Sequence, residues 1–219
     1  MGKRKFKPAA IILDMDGVIV DSMPYHFIAW YEALSPLGIR VSAFEVYQRE
    51  GERWDKSLKD FLIQGGIKPT SSVMRKVFLK RQIIFRRYFK RKLFSGVEEF
   101  LRGLKNKGYL LAIVTGTPMP QLVKILPLRI RGLFDTVVTG DLVRRGKPHP
   151  EPFLKAAANL NLKPSECLVI ENAPLGIRSA KSAKMFCVAV TTSLPKGYLR
   201  MADVVVNKLQ DISSLIEKS

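Results

Sequence analysis

The stretch Ala9-Ala-Ile-Ile-Leu-Asp-Met-Asp-Gly-Val-Ile-Val-Asp-Ser22 narrows the possible folds more than any other part of the chain. Five apolar residues, Ala9 to Leu13, run unbroken into Asp14-Met15-Asp16-Gly17, and a second apolar run, Val18 to Val20, follows. An Ile- and Leu-rich run of that length suits a strand buried on both faces of a parallel sheet. Two carboxylates two residues apart stand at its carboxyl end, where open parallel sheets bind their ligands. Asp and Gly also favour plain surface turns. The flanking apolar runs and the motifs further along favour an active-site strand, with Gly17 permitting the sharp departure after it.

A chain of 219 residues can hold one good core and a smaller accessory domain. Its make-up, 47% hydrophobic and 26% charged, is that of a soluble globular protein. No apolar run nears the ~20 residues that a membrane-spanning helix needs. The basic start Lys3-Arg4-Lys5-Lys7 precedes a short apolar run that ends in two Asp residues. That is too short and too acidic for a signal peptide, and reads as a frayed tail. Cys167 and Cys187 lie in apolar, strand-like segments without metal-ligand spacing or a disulfide framework. They are expected to be buried thiols of a cytoplasmic protein. The net charge of +18 favours anionic partners, whether phosphorylated metabolites, nucleic acid or an acidic membrane surface.

After Ser22 the pattern turns helical. Apolar spacings of three and four predict a helix from Met23 through Phe27, Trp30, Tyr31 and Leu34, ending near Pro36 and Gly38. Further helices are expected over residues 43–48 and 55–63. Pro69-Thr70-Ser71-Ser72 then opens a long one reaching about Lys92, with Val73, Val77, Phe78, Ile84, Phe85, Tyr88 and Phe89 on its apolar face. This helix carries nine Lys and Arg between Arg75 and Lys92 and no acidic residue. The simpler reading is the solvated face of an amphipathic helix; the other is a surface for a polyanion. Its aromatics fall among the apolar positions, which suits core packing better than base stacking.

From Gly96 onward helix and strand patterns alternate, with helices over 98–107, 120–126, 150–160, 175–184 and 209–217. Strands are expected over 110–114, 135–138, 168–170, 186–190 and 203–206. Repeated strand–helix units imply an α/β, doubly wound, Rossmann-like parallel sheet with helices on both faces. One all-helical insert interrupts it. The expected division is a core domain of residues 1–21 and 95–219 and an insert of residues 22–94.

Four segments present polar groups where strands end or helices begin: Asp14 and Asp16, then Thr115-Gly116-Thr117, then Arg145-Gly146-Lys147-Pro148-His149-Pro150, then Glu171-Asn172. Carboxylates, hydroxyls and a lysine are what phosphoryl transfer with Mg²⁺ needs. An aspartate can attack phosphorus, hard oxygen ligands hold Mg²⁺, and lysine with backbone amides neutralises the phosphoryl charge.

Taken in order and spacing, these four motifs resemble those of the haloacid dehalogenase superfamily of phosphohydrolases and phosphomutases. The likeness is to the branch with a helical cap after the first motif, and it covers nearly the whole chain. It implies that Asp14 is the nucleophile and an Mg²⁺ ligand. Asp16 is then the general acid–base, with its backbone carbonyl on the metal. Thr115 and the Gly116 amide would hold phosphoryl oxygens, Lys147 would pair with Asp14 and the phosphate, and Glu171 and Asn172 would complete the metal site. Asn172 departs from the commoner Asp, which removes one negative charge and implies weaker metal affinity.

The segment Tyr25-His26-Phe27-Ile28-Ala29-Trp30 resembles one in β-phosphoglucomutases whose histidine meets substrate near the cap hinge; a structural histidine is the plainer reading. Where such a mutase has cap cations for a second phosphate, an ungapped alignment gives Glu50 and Trp54 here, with Arg49 and Arg53 one residue off. Arg53 stays a candidate anion contact. The expectation is therefore a Mg²⁺-dependent phosphatase acting on a small phosphorylated metabolite, of the sugar phosphate or phosphoglycolate class, through an aspartyl-phosphate. A sugar-phosphate mutase is the enzymatic alternative, and a nucleic-acid or polyanion binder on the same scaffold the less favoured one. Monomer and dimer stay equally open.

Overall fold

The computed structural model describes residues 6–216; Lys3, Arg4 and Lys5 of the expected tail lie outside the described residues. Six strands, β1 (Ala10–Leu13), β2 (Leu110–Val114), β3 (Thr136–Val138), β4 (Cys167–Glu171), β5 (Phe186–Val190) and β6 (Val204–Val206), form one sheet in the order β3-β2-β1-β4-β5-β6. Every neighbouring pair is parallel. This is the doubly wound α/β arrangement, and its order reverses between β1 and β4, where such sheets open a crevice for ligands.

Side-chain alternation along the strands builds two cores. Ile11, Leu13, Leu111, Ile113, Leu168 and Ile170 face one way, against α5 (Val97–Asn106) and α6 (Met119–Ile125). Ala10, Ile12, Ala112, Val114 and Val169 face the other way, against α8 (Glu151–Asn159) and α9 (Pro174–Ser182). The short helix α7 (Leu128–Arg131) precedes β3. Cys167 and Cys187 are free thiols buried in the second core, as expected. Burial pushes both above the usual thiol range, Cys167 to about 11.

Between β1 and α5 the chain forms α1 (Met23–Leu34), α2 (Ala43–Gln48), α3 (Trp54–Gln64) and α4 (Ser71–Tyr88). Local chemistry sets their starts: Ser42 and Glu45 make a capping box at α2, and the Thr70 hydroxyl accepts the Val73 amide at α4. Trp30 meets Phe61 edge-on at 5.5 Å, and Trp54 stacks on Phe78 at 3.7 Å, so α1, α3 and α4 share one aromatic core.

The long helix stops at Tyr88, not near Lys92, because the following residues must cross back to the sheet. Leu93 pairs antiparallel with Val20, the Asp21 amide donates to the Lys92 carbonyl at 2.9 Å, and the Phe94 amide donates to the Ile19 carbonyl at 3.1 Å. The outgoing and returning segments thus lie side by side. The C-terminal segment expected as a helix is a 3₁₀ turn over Leu209–Ser214, and its last position, 217, lies outside the described residues.

Candidate active site

Asp14 and Glu171 stand at the ends of β1 and β4, across the point where strand order reverses, and Thr115 follows β2. Backbone parallelism alone brings these three together from distant parts of the chain. Lys147, from the loop before α8, reaches between them. Its ammonium donates to Asp14 Oδ1 and Glu171 Oε1, each at 2.5 Å, and to the Val114 carbonyl at 3.2 Å. All three charged side chains are buried. Burial alone would lower the Lys147 pKa, but Asp14 and Glu171 outweigh it and hold the ammonium above its usual value. Burial dominates for Asp14 and pushes its carboxyl up to about 8, against the opposing pull of Lys147.

Asp16 has a different environment. Its Oδ1 accepts from the Ser22 hydroxyl at 2.5 Å and meets His26 Nε2 at 3.1 Å. Its Oδ2 accepts from Thr117 at 3.0 Å and, more weakly, from Thr115 at 3.5 Å. Burial would raise the Asp16 pKa, but His26, Ser22 and Thr117 together hold it below the usual carboxylate value. Two carboxylates two residues apart are thereby driven in opposite directions in the metal-free protein, Asp14 upward and Asp16 downward.

His26 is thus brought to Asp16, by a route the sequence did not suggest. Its other nitrogen, Nδ1, lies 3.0 Å from Nη2 of Arg81, a residue of α4 that is only 8% exposed. Arg81 also lies over the Trp30 ring at 4.5 Å. Burial lowers its pKa to about 10, which leaves it charged at neutral pH. Arg81 was counted among nine exposed-looking cations, yet it falls on the apolar stripe Val77–Arg81–Ile84–Phe85 at helical spacing, a signal that marks a buried cation. Two others of the nine are also committed. Arg91 donates to the Lys124 and Ile125 carbonyls at the end of α6, and Lys92 pairs with Asp21.

The loop after α2 covers the site. Gly51 has a φ of +77°, and a Cβ there would run into the Lys147 side chain. A Cβ on Gly116 would lie 2.9 Å from the Gly51 carbonyl oxygen. Gly17, at φ +84°, is pressed in the same way against the Asn172 amide. Arg53 does not reach the cavity. It lies along Gly146, paired with Asp55 and donating to the Val143 and Arg144 carbonyls. Arg49 is held by Glu52 at 2.9 Å and Asp60 at 2.8 Å.

The oxygens fit a hard cation. Asp14 Oδ2 and Asn172 Oδ1 are buried with no hydrogen-bond partner among the described residues. The Asn172 side chain is oriented by its Nδ2, which donates to Ser193 Oγ at 2.8 Å and leaves the carbonyl oxygen free. No group of three His, Cys, Asp or Glu side chains converges as a metal cage among the described residues. An ion here is therefore suited to a mixed set of carboxylate, amide and backbone oxygens, the kind Mg²⁺ accepts.

A buried lysine bridging two strand-end carboxylates, beside a differently tuned second aspartate and under a helical cap, defines a class of phosphate-handling hydrolase. The chain belongs to the haloacid dehalogenase-like hydrolases, whose family pattern it matches over residues 8–184. It is 31% identical to the β-phosphoglucomutase of Bacillus subtilis, over 93% of this chain and 91% of that one. To a phosphorylated carbohydrates phosphatase of Thermotoga maritima it is 29% identical, over 95% and 98% of the two chains. A crystal structure of β-phosphoglucomutase from Clostridium difficile superimposes with a TM-score of 0.83 at 26% identity, covering 94% of this chain and 93% of that one.

Proposed function

We propose that the protein is a Mg²⁺-dependent phosphatase of small phosphorylated metabolites, acting through an aspartyl-phosphate on Asp14. The Lys147 bridge between Asp14 and Glu171 carries the reading, because a buried ammonium there both fixes the nucleophile and neutralises an incoming phosphoryl group. Asp14 attacks phosphorus as the bond to the leaving oxygen breaks, while Asp16 gives that oxygen a proton. A phosphoester dianion arriving beside Asp16 raises its pKa toward the protonated form this step needs. Asp16 then takes a proton from water, which attacks phosphorus and frees Asp14. Thr115 and the Gly116 amide hold phosphoryl oxygens, and His26 with Arg81 keeps the Asp16 carboxyl oriented. Mg²⁺ would be held by Asp14, the Asp16 carbonyl, Glu171 and Asn172, and would supply charge stabilisation for the transferring group.

The named relatives divide between mutase and phosphatase. A mutase needs a cap cation for the second phosphate of a bisphosphate; the two that the alignment offered, Arg49 and Arg53, are committed to carboxylates, while Arg81 lines the cavity with its Nε unpartnered. The choice between hydrolysis and isomerisation is therefore left to the assay. The domain division proposed is a core of residues 1–21 and 95–219 with a cap of residues 22–94, consistent with the Val20–Leu93 crossing. Among the described residues no helix is long and apolar enough to cross a membrane. The test is phosphate release from a panel of phosphomonoesters with Mg²⁺. It should vanish in Asp14→Asn, and isomerisation of β-glucose 1-phosphate without release would move the assignment to the mutase.

A further inference from the structure

A second cavity, about 320 Å³, lies between the end of the cap helix α4 and the core helix α6. That is within the range of small-molecule sites, roughly 300–1,000 Å³. The cavity that Arg81 lines is about 60 Å³. Pro118 and Gln121 border both. Phe85 lines the larger groove and stands between it and His26: it is 3% exposed and stacks on the His26 ring at 4.6 Å and on Phe89 at 4.9 Å.

The two walls of the groove offer matching chemistry. The cap contributes Phe85, Phe89 and the Arg86 guanidinium; the core contributes Gln121, Ile125 and the Lys124 ammonium. Among the described residues no carboxylate lines the groove, and none pairs with Arg86 or Lys124, both of which are exposed. Arg91, just beyond α4, donates to the Lys124 carbonyl at 2.6 Å and the Ile125 carbonyl at 2.9 Å, so the groove sits at the joint between cap and core. An aromatic ring suits such a trough, since it packs on apolar side chains and under a planar guanidinium. A polyanion does not, because two cations frame an apolar floor and no row of cations continues along it.

We infer that this groove is a second binding site, for a small aromatic molecule carrying one anionic group, whose occupant pins the cap helix to the core. Burial of the ring against Phe89 and Ile125 supplies affinity, and Arg86 and Lys124, one from each wall, meet the anion. A ligand that touches both walls resists their separation, and a cap over a catalytic cavity has to open for turnover. The occupant therefore lowers kcat and is not displaced by substrate. The slowing rests on the phosphatase reading; the binding rests on the groove alone.

The probe is anilinonaphthalene sulfonate, an aromatic dye with one anionic group whose fluorescence rises in apolar sites. Titration should show one saturable site per chain. Arg86→Glu combined with Lys124→Glu should raise its dissociation constant at least about tenfold. Arg75→Glu combined with Lys80→Glu changes the net charge equally at exposed positions of α4 outside the groove, and should leave the constant unchanged. Thermal midpoints check that both double variants fold. Absence of saturable binding, or an equal loss in the two variants, would overturn the inference. With 4-nitrophenyl phosphate and Mg²⁺, the dye should lower kcat at saturating substrate. Relief of the inhibition by substrate would put the groove on the path of the leaving group and overturn the separate site. An unchanged kcat with the dye bound would overturn the pinning. Dye binding as expected in a protein that releases no phosphate would strike the phosphatase reading and leave the site standing.

Discussion

Lys147 is the residue on which the candidate site most depends. Its charge is compensated by two buried carboxylates, and removing it leaves Asp14 and Glu171 facing each other unpaired. Breaking such a buried arrangement costs roughly 3–5 kcal/mol. Lys147→Met is expected to lose that much stability by urea denaturation and to lose phosphate release as well. Asn172→Asp is expected to act in the opposite sense on the metal. A third carboxylate in the proposed ligand set should tighten Mg²⁺ at least several-fold, read by calorimetry, and an unchanged affinity would remove Asn172 from that set. The roles of Asp14, Asp16, Thr115 and Lys147 could be proposed from sequence because each motif is local. Arg81 and Ser22 could not, because their partners His26 and Asp16 meet them only after the cap folds back on the sheet.

At the level of elements, the two outer parts of the sheet use one device twice. Asp135, just before β3, accepts the Leu111 amide at 2.7 Å and pairs with Lys105. Asp203, just before β6, accepts the Cys187 amide at 2.8 Å and pairs with Lys181. Each carboxylate ties the start of an edge strand to its inner neighbour. Burial pushes Asp135 up, but Lys105 and the Leu111 amide outweigh it and hold its pKa below the usual value. A depressed carboxylate stabilises the fold above the ordinary Asp range and loses that contribution as pH falls through its lowered pKa. Asp135→Asn should therefore cost about 1 kcal/mol at neutral pH, mostly because its bonds from Leu111 and Lys105 lose the acceptor's charge. The difference from wild type should disappear in strong acid, as thermal melts across pH would record. The strands and most helices were legible from periodicity. The early end of α4 was not, since Phe89 continues the apolar pattern and only the need to reach Leu93 turns the chain.

For the molecule as a whole, one contact that joins the helical insert to the sheet over the site is a glycine against a lysine stem. Gly51→Ala adds a methyl where Lys147 already lies and forces a residue with a side chain to hold φ +77°. The cap should then sit off the core, lowering kcat/KM by at least about tenfold while the thermal midpoint changes little, since the loop is at the cap's rim. An unchanged kcat/KM would mean that the close approach has no part in turnover. The net charge of +18 was read as a hint of a polyanion partner. Its most suggestive residues have other employment: Arg81 inside the cavity, Arg91 on the end of α6, and Lys92 against Asp21.

The side-by-side crossing at Val20 and Leu93 has a consequence for how such a chain can change over generations. Everything proposed to break the ester bond is held by the sheet and its loops, apart from the His26–Arg81 support. What distinguishes one ester from another arrives through a single doorway of two adjacent strands of backbone. Insertions, losses and substitutions beyond that doorway can revise the menu of substrates while the reacting groups keep their places. The helical insert is in that sense an interchangeable lens set before a fixed lamp.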